Sequence, residues 1–142
     1  MTTAPTTLSD FEGRWRLTRT IHDARAGQVV QAEGEAQLQR SEDGLIYTEE
    51  VTLSIPGQPP MKGTRKYFWR DGGHRVLIHF DDGRFFHALT LGAQNASDHH
   101  DCAPDSYDAV YDFHDWPRWS VQWTVNGPRK SYEMTTDYAA VA

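Results

Sequence analysis

Apolar and polar side chains alternate along most of this chain. The segment WRLTRTI, residues 15–21, places Trp15, Leu17, Arg19 and Ile21 on one face and polar side chains on the other. A period of two indicates a β-strand with one buried face. Similar segments recur between short turns with Asp-Gly, Asn-Gly or Pro-Gly, which is typical of antiparallel hairpins. The pattern predicts about nine strands, at 15–21, 30–38, 45–53, 63–69, 74–80, 84–89, 106–113, 119–125 and 130–138.

A meander of this length must cover its apolar face and both of its edge strands. Closing the sheet into a barrel does both, whereas a two-sheet sandwich needs longer connections than most of these turns allow. The sequence therefore predicts an all-β fold, a single antiparallel meander closed into a barrel of about 8–10 strands. We expect one domain over residues 1–142, with a loose tail at 1–7 and a short helical turn at 8–11 plugging one end.

Composition excludes several classes of partner. The formal net charge is −6 and no cluster of Lys and Arg stands out, so nucleic acid is not an expected partner. Cys102 is the single cysteine, which excludes an internal disulfide and fits a reducing compartment. No signal-peptide pattern is seen, and no apolar run approaches the roughly 18 residues that span a bilayer. We expect a cytoplasmic protein, monomeric or homodimeric, without a membrane partner.

Charged side chains fall on predicted inner faces. Arg19, Glu49 and Arg65 occupy alternate positions that otherwise carry apolar residues, and His87 can join them. A charge buried in a barrel is costly unless it is paired. The pattern therefore predicts either an Arg–Glu network or an anionic ligand held by the arginines. The small inner face of residues 30–38, with Gly34 at its centre, favours open space inside.

The segment HHDCAPDSY, residues 99–107, concentrates groups that can carry chemistry. His100 and Cys102 are two positions apart and project to one side of an extended strand, where they can share a ligand or a proton. The alternatives are a metal or haem site completed by His87 or His79, a catalytic thiol, and a solvated loop in which Cys102 is simply a small buried residue. We predict no cofactor and no metal, with haem or a metal at His87, His100 and Cys102 as the alternative.

Aromatic residues on the inner faces can line a pocket for a flat ligand or pack as a solid core. This set consists of Trp69, Tyr107, Tyr111, Trp119, Trp123 and Tyr132.

Gly13 and Trp15 form a Gly-x-Trp motif just before the first strand, which resembles the signature of the calycin superfamily of small barrels. The resemblance implies that Trp15 lies inside one end of the barrel and that a basic residue at the last strand packs over its indole. Arg129 is the first choice for that partner and Lys130 the second. More narrowly, the chain resembles a bacterial family known as domain of unknown function 6314, which implies a calycin-like barrel and no established activity. The matching segments are 11–21, 66–70, 82–87, 100–111 and 123–132.

Three hypotheses for function remain open, and the volume of the interior separates them. The first and favoured one is binding of a small, partly apolar, possibly anionic ligand inside the barrel. The second is an isomerase, cyclase or hydrolase that uses Glu49, His87 or a tyrosine in acid–base chemistry. The third is a filled barrel that acts through its surface. The predicted ligand-binding residues are Arg19, Glu49, Arg65, Tyr67, His87, Cys102, Tyr107, Tyr111, Trp123 and Tyr132.

Overall fold

Ten antiparallel strands make up almost the whole molecule. The computed structural model describes residues 4–141. A 3-10 helix at Leu8–Phe11 precedes the first strand. The strands are β1 (Gly13–Asp23), β2 (Gln28–Ser41), β3 (Gly44–Ser54), β4 (Met61–Asp71), β5 (Arg75–Phe80), β6 (Phe85–Thr90), β7 (Asn95–Cys102), β8 (Asp105–Asp112), β9 (Trp119–Asn126) and β10 (Ser131–Ala140).

The sheet is a meander that curls into a nearly closed barrel. Each strand pairs with its sequence neighbours, except that β1 pairs with β10 and leaves β6 and β7 as the two edges. Across this seam the Ala88 N–H donates to the Asp98 carboxylate at 2.7 Å. This order confirms the predicted closed meander and excludes a two-sheet sandwich.

Strand β7 is the element that the sequence pattern did not reveal. The predicted strands at 84–89 and 106–113 leave residues 90–105 without a strand. Of the eight residues in β7 only Ala96 is buried, because this strand lies at the seam and takes backbone pairing from β8 alone. An edge strand with one buried side chain shows too little alternation to be recognised.

A bulge in the hairpin of β5 and β6 places two consecutive side chains in the interior. Ile78 pairs with His87 but His79 pairs with Phe85, so Phe86 is the extra residue. Both Phe86 and His87 are buried. A period of two cannot hold through such a bulge, so alternation along β6 cannot predict that both side chains face the interior.

The small inner face of β2 makes room for charged neighbours. Ala32 pairs with Arg19 of β1, and Ala36 pairs with Glu49 of β3. At Gly34, between the two alanines, an added Cβ would overlap the carbonyl oxygen of Glu50. The backbone of β3, which approaches Gly34 closely, and the side chains of Arg19 and Glu49 therefore occupy the predicted open space.

One end of the barrel, the plugged end, is closed by the 3-10 helix. The Phe11 ring is fully buried and meets the rings of Trp69, Phe113, Trp116 and Trp119 edge-on, at centroid distances of 5.2–6.0 Å. Pairs in this orientation add to the stability gained by burial. The predicted plug at 8–11 is confirmed.

The predicted loose tail is wrong for its described part. Ala4 and Pro5 are buried, and the Pro5 carbonyl accepts a hydrogen bond from the Gly92 N–H at 2.9 Å. The first three residues of that prediction lie outside the described residues. Among residues 4–141, no helix is long and apolar enough to cross a membrane.

The Gly-x-Trp motif lies at the plugged end as the resemblance implied. Gly13 has φ +138°, a conformation that other residues rarely adopt. The indole N–H of Trp15 donates to the Phe11 carbonyl at 3.0 Å. Trp116 and Trp119 pack against its ring, each with a centroid distance of 5.8 Å.

The predicted contact between Arg129 and Trp15 is wrong. Trp15 pairs with Ala140, the last residue of β10, whereas Arg129 precedes the first residue of β10. The strands are antiparallel, so Arg129 lies at the opposite end of the barrel, where it is exposed. The second choice, Lys130, also lies there, with its Nζ 5.9 Å from the ring centroid of Tyr107.

Candidate functional site

A buried ion pair crosses the interior above β2. Arg19 Nη1 and Nη2 donate to the two carboxylate oxygens of Glu49 at 2.6 and 2.9 Å. Arg19 Nε donates to Thr136 Oγ1 at 2.8 Å. Both charged side chains are nearly inaccessible to water, so the predicted Arg–Glu network exists and is fixed in a bidentate geometry.

Two tyrosines extend this network. The Tyr47 hydroxyl donates to Glu49 Oε1 at 2.6 Å, and the hydroxyls of Tyr47 and Tyr138 are 2.7 Å apart. Both tyrosines, and Thr136, were missing from the predicted site. Their alternate positions on inner faces were the available signal, but alternation alone does not distinguish a polar contact from packing.

The network holds its groups in fixed protonation states. Burial alone would raise the pKa of Glu49, but hydrogen bonds and the charge of Arg19 outweigh burial and hold this pKa below its ordinary value. Burial raises the pKa of Tyr138 to about 12 and also raises the pKa of Tyr47. At neutral pH the carboxylate is charged and both hydroxyls are protonated.

Next to this network lies a small space lined mostly by buried side chains, which we call the deep chamber. Its volume is about 50 Å³. Its walls come from the ion-pair network, from Arg65 and Tyr67, and from the aromatic residues of β4, β6, β8 and β9, among them Phe86, His87, Tyr111, Trp119 and Trp123.

His87 is the buried histidine of this chamber. Its Nε2 lies 2.7 Å from the Tyr111 hydroxyl, and the two rings stack at 5.9 Å. Burial lowers the pKa of His87 to about 3, because the charged imidazolium would lose its hydration inside the barrel. The imidazole is therefore neutral at physiological pH.

Replacing His87 by phenylalanine is expected to flatten the acid dependence of stability. The unfolded chain binds a proton at His87 near pH 6.5, whereas the folded protein binds it only near 3. The stability contributed by neutral His87 is complete above this range and is lost as the pH falls through it. Between about pH 7 and about pH 4.5, the wild-type protein should lose about 2–3 kcal/mol more unfolding free energy than His87→Phe. Urea unfolding at both pH values measures the difference.

His74→Gln provides the matched control, because His74 is exposed and its replacement should leave the wild-type dependence unchanged. If wild type and His87→Phe showed the same acid dependence, His87 would be in contact with water rather than buried.

A larger cavity of about 230 Å³ opens at the end of the barrel opposite Phe11, and we call it the mouth cavity. It shares the walls formed by Arg65, Tyr67, Phe86, Trp123 and Met134 with the deep chamber. The remaining lining residues are Phe80, His100, Cys102, Tyr107, Val125 and Tyr132.

Arg65 is the charged residue of the mouth cavity. Its side chain is 42% exposed, which corrects the prediction of an interior arginine. Arg65 is exposed because β4 reaches the rim of the barrel at this position. Arg65 Nε lies 4.0 Å from Glu49 Oε2, an oxygen that already accepts from Arg19 at 2.6 Å. Arg65 forms no closer ion pair within residues 4–141.

The His and Cys residues of the 99–107 segment are divided by the fold. His100 and Cys102 line the mouth cavity, whereas His87 lines the deep chamber. His99 is exposed on the outer face, with Asp108 and Asp101 at 2.6 and 2.7 Å. Cys102 is exposed rather than buried. In the described part of the chain, no group of three or more His, Cys, Asp or Glu side chains is placed to hold a metal ion.

The mouth cavity and the deep chamber together are lined by all ten predicted ligand-binding residues. The mouth cavity gathers Arg65, Tyr67, Cys102, Tyr107, Trp123 and Tyr132, and the deep chamber gathers Arg19, Glu49, His87 and Tyr111. Of the chamber walls, Phe86 was missed because of the bulge in β6.

A solved structure shares this architecture. An S-type phycobiliprotein lyase CpeS from Guillardia theta superposes with a TM-score of 0.65, at 10% identity, over 95% of this chain and 90% of that chain. An AttH protein from Nitrosomonas europaea matches 94% of this chain and 53% of its own length, at 12% identity and a TM-score of 0.32. At this identity the likeness to the lyase is one of fold.

The family of the chain is shown by its sequence. No curated protein matches it significantly. The family model for DUF6314, a family of unknown function, matches residues 11–140. That range runs from the plugging Phe11 to the end of β10 and includes every strand of the barrel. The chain therefore belongs to the DUF6314 family.

Proposed function

We propose that the barrel binds a small, partly apolar, anionic molecule in its mouth cavity. A cavity lined mainly by aromatic and apolar side chains with a single charged group is the usual composition of a small-molecule site. Phe86 and Trp123 form a stacked pair at 4.9 Å on one wall. Such a wall favours a flat ligand body.

The observation that supports the anionic character is the incomplete pairing of Arg65. Its only acidic neighbour within 4.0 Å among the described residues is Glu49, whose two oxygens already accept two hydrogen bonds from Arg19 and one from Tyr47. One buried arginine and one arginine at the rim thus share a single glutamate. A carboxylate beside Arg65 would complete the charge balance with a bidentate contact.

The size of the cavity sets the size of the ligand. Drug-sized ligands occupy pockets of about 300–1,000 Å³, and the mouth cavity is about 230 Å³. The ligand is therefore compact, of the order of one aromatic ring with short substituents. The filled-barrel hypothesis also predicts a cavity below about 300 Å³, so the support for ligand binding comes from the pairing of Arg65 and from the aromatic wall, not from the volume.

Proton transfer is a weaker alternative for this interior. General acid–base catalysis works best when the pKa of the catalytic group lies near the working pH. Glu49 is held in its charged form by Arg19, and burial keeps His87 neutral. Both groups are thus suited to positioning a ligand rather than to exchanging protons with it.

Replacing Arg65 by glutamine is expected to weaken binding of benzoate, a probe of matching size and charge, by about tenfold. Isothermal titration calorimetry gives the affinity, and quenching of tryptophan fluorescence gives an independent signal because Trp123 lines the cavity. The affinity of the wild-type protein should also fall with added salt.

Arg70→Gln is the matched control. Arg70 is an exposed arginine of the same strand, one residue after the inward-facing Trp69, so its replacement should leave benzoate binding unchanged. An equal effect of the two variants, or a benzoate affinity that Arg65→Gln does not alter, would contradict the proposed site.

A further inference from the structure

Two buried nitrogen atoms of the deep chamber have no hydrogen-bond partner within the described residues. They are His87 Nδ1 and Trp119 Nε1. Both side chains line the chamber, whereas His79, which also has an unpartnered nitrogen, lines neither the chamber nor the mouth cavity. Buried polar atoms are nearly always hydrogen-bonded in folded proteins, so two of them around one chamber indicate an occupant.

The tautomer of His87 follows from its contact with Tyr111. Within residues 4–141, the buried Tyr111 hydroxyl has His87 Nε2 as its one hydrogen-bond partner, at 2.7 Å. If the hydroxyl donates to Nε2, both groups are satisfied there and the ring proton is on Nδ1. If instead the His87 Nε2–H donated to the Tyr111 hydroxyl oxygen, both the hydroxyl proton and His87 Nδ1 would lack a hydrogen-bond partner. The first arrangement costs less, so His87 presents an N–H donor.

The chamber therefore offers two N–H donors that have no hydrogen-bond partner among the described residues. An indole can only donate, and the His87 imidazole donates through Nδ1. Both rings lie nearly parallel to the Tyr111 ring, at centroid distances of 5.9 and 6.3 Å. A group that satisfies them must accept hydrogen bonds, which an oxygen does best.

The charge of the chamber selects a neutral oxygen. Arg19 is already paired with Glu49 through both terminal nitrogens. The other arginine of the chamber wall, Arg65, lies at the rim, where the proposed function assigns it to the carboxylate of the ligand, so neither arginine remains for a second anion. A second carboxylate at this depth would lose its hydration without gaining a counter-ion. A carbonyl oxygen needs no counter-ion, and a volume of about 50 Å³ accepts a group of that size.

We infer that the deep chamber is a subsite for a carbonyl oxygen of the ligand, held by the N–H groups of His87 and Trp119. This subsite rests on the proposed function, since the ligand enters through the mouth cavity. Its carboxylate lies beside Arg65, which lines both cavities, and its carbonyl lies beyond Phe86 and Trp123. The ligand class is an aromatic carboxylate that carries a carbonyl group on the far side of its ring.

Two probes of nearly equal shape test this subsite. 4-Acetylbenzoate carries the carbonyl oxygen. 4-Isopropylbenzoate has a methyl group in its place and cannot accept a hydrogen bond there. We expect 4-acetylbenzoate to bind the wild-type protein about tenfold more tightly. In ¹⁵N-labelled protein it should also shift the indole N–H signal of Trp119, identified by its loss in Trp119→Phe, and the Nδ1–H signal of His87. Isopropylbenzoate should leave both signals in place.

His87→Phe should abolish the difference between the two probes while keeping the affinity for 4-isopropylbenzoate. If this variant does not fold, the Trp119 and His87 N–H signals of the wild-type protein still test the subsite. Equal binding of both probes, without a shift of either N–H signal, would overturn the subsite and assign the chamber to water. The proposed function would remain intact. If neither probe bound, the proposed function would fail and the subsite with it.

Discussion

Replacing Arg19 by methionine is expected to lower the free energy of unfolding by about 3–5 kcal/mol. The variant leaves the Glu49 carboxylate buried, with the Tyr47 hydroxyl as its nearest donor and Arg65 at 4.0 Å. A buried charge without its partner pays the full cost of lost hydration. Urea unfolding near neutral pH measures this loss. Without Arg19, burial raises the pKa of Glu49 in the folded variant, so the loss should shrink as the pH falls toward the ordinary pKa of 4.5 and shrink further below it, where the wild-type protein loses the stability of its ion pair.

The double variant Arg19→Met with Glu49→Gln is the decisive control. It removes both charges and keeps an acceptor for the Tyr47 hydroxyl, so it should be more stable than Arg19→Met alone. Arg14→Met on the same strand removes an exposed ion pair with Glu35 and should cost less than about 1 kcal/mol. If Arg19→Met cost no more than Arg14→Met, the ion pair would be open to water and the closed interior would be wrong.

The ion pair is also the part of the site that sequence predicted best. Alternation in strands β1 and β3 assigned Arg19 and Glu49 to the same interior, because a period of two fixes the face of every residue once one is known. Buried charges of opposite sign then have to meet. The small residues of β2 were visible too, but sequence could not show that Gly34 admits the backbone of β3 rather than leaving space.

The alternation of apolar and polar residues could not predict features that depend on strand direction or on an interruption of that alternation. Arg129 was placed over Trp15 because it opens the last strand, yet strand direction puts it at the other end of the barrel. The bulge at Phe86 ended the alternation in β6. The exposure of Arg65 and Cys102 depends on where the rim of the barrel falls, and periodicity sets the face of a residue but not its depth along the barrel axis.

The two ends of the barrel have separate roles in this arrangement. At the plugged end, Phe11 and the tryptophans around it line no part of the mouth cavity, and only Trp69 and Trp119 of these rings reach the deep chamber. At the open end, the mouth cavity and the deep chamber contain the polar groups with incomplete pairing. Stability and ligand binding should therefore respond to different substitutions.

Replacing Phe11 by alanine tests this separation and is expected to lower the free energy of unfolding by about 3–5 kcal/mol. Phe11 is fully buried and contacts four aromatic rings, so the variant loses both apolar burial and edge-to-face contacts. Phe11 lines neither the mouth cavity nor the deep chamber. Below its unfolding transition, the variant should therefore bind benzoate with wild-type affinity, as calorimetry can show.

Glu12→Ala is the matched control for Phe11→Ala, because it follows Phe11 directly and its side chain is 40% exposed in an ion pair with Arg40. Its cost should stay below about 1 kcal/mol. A Phe11→Ala protein that is nearly as stable as Glu12→Ala would show that the 3-10 helix is not the plug. A loss of benzoate affinity in folded Phe11→Ala would instead show that the plugged end sets the shape of the mouth cavity, since none of the four rings that Phe11 contacts lines that cavity.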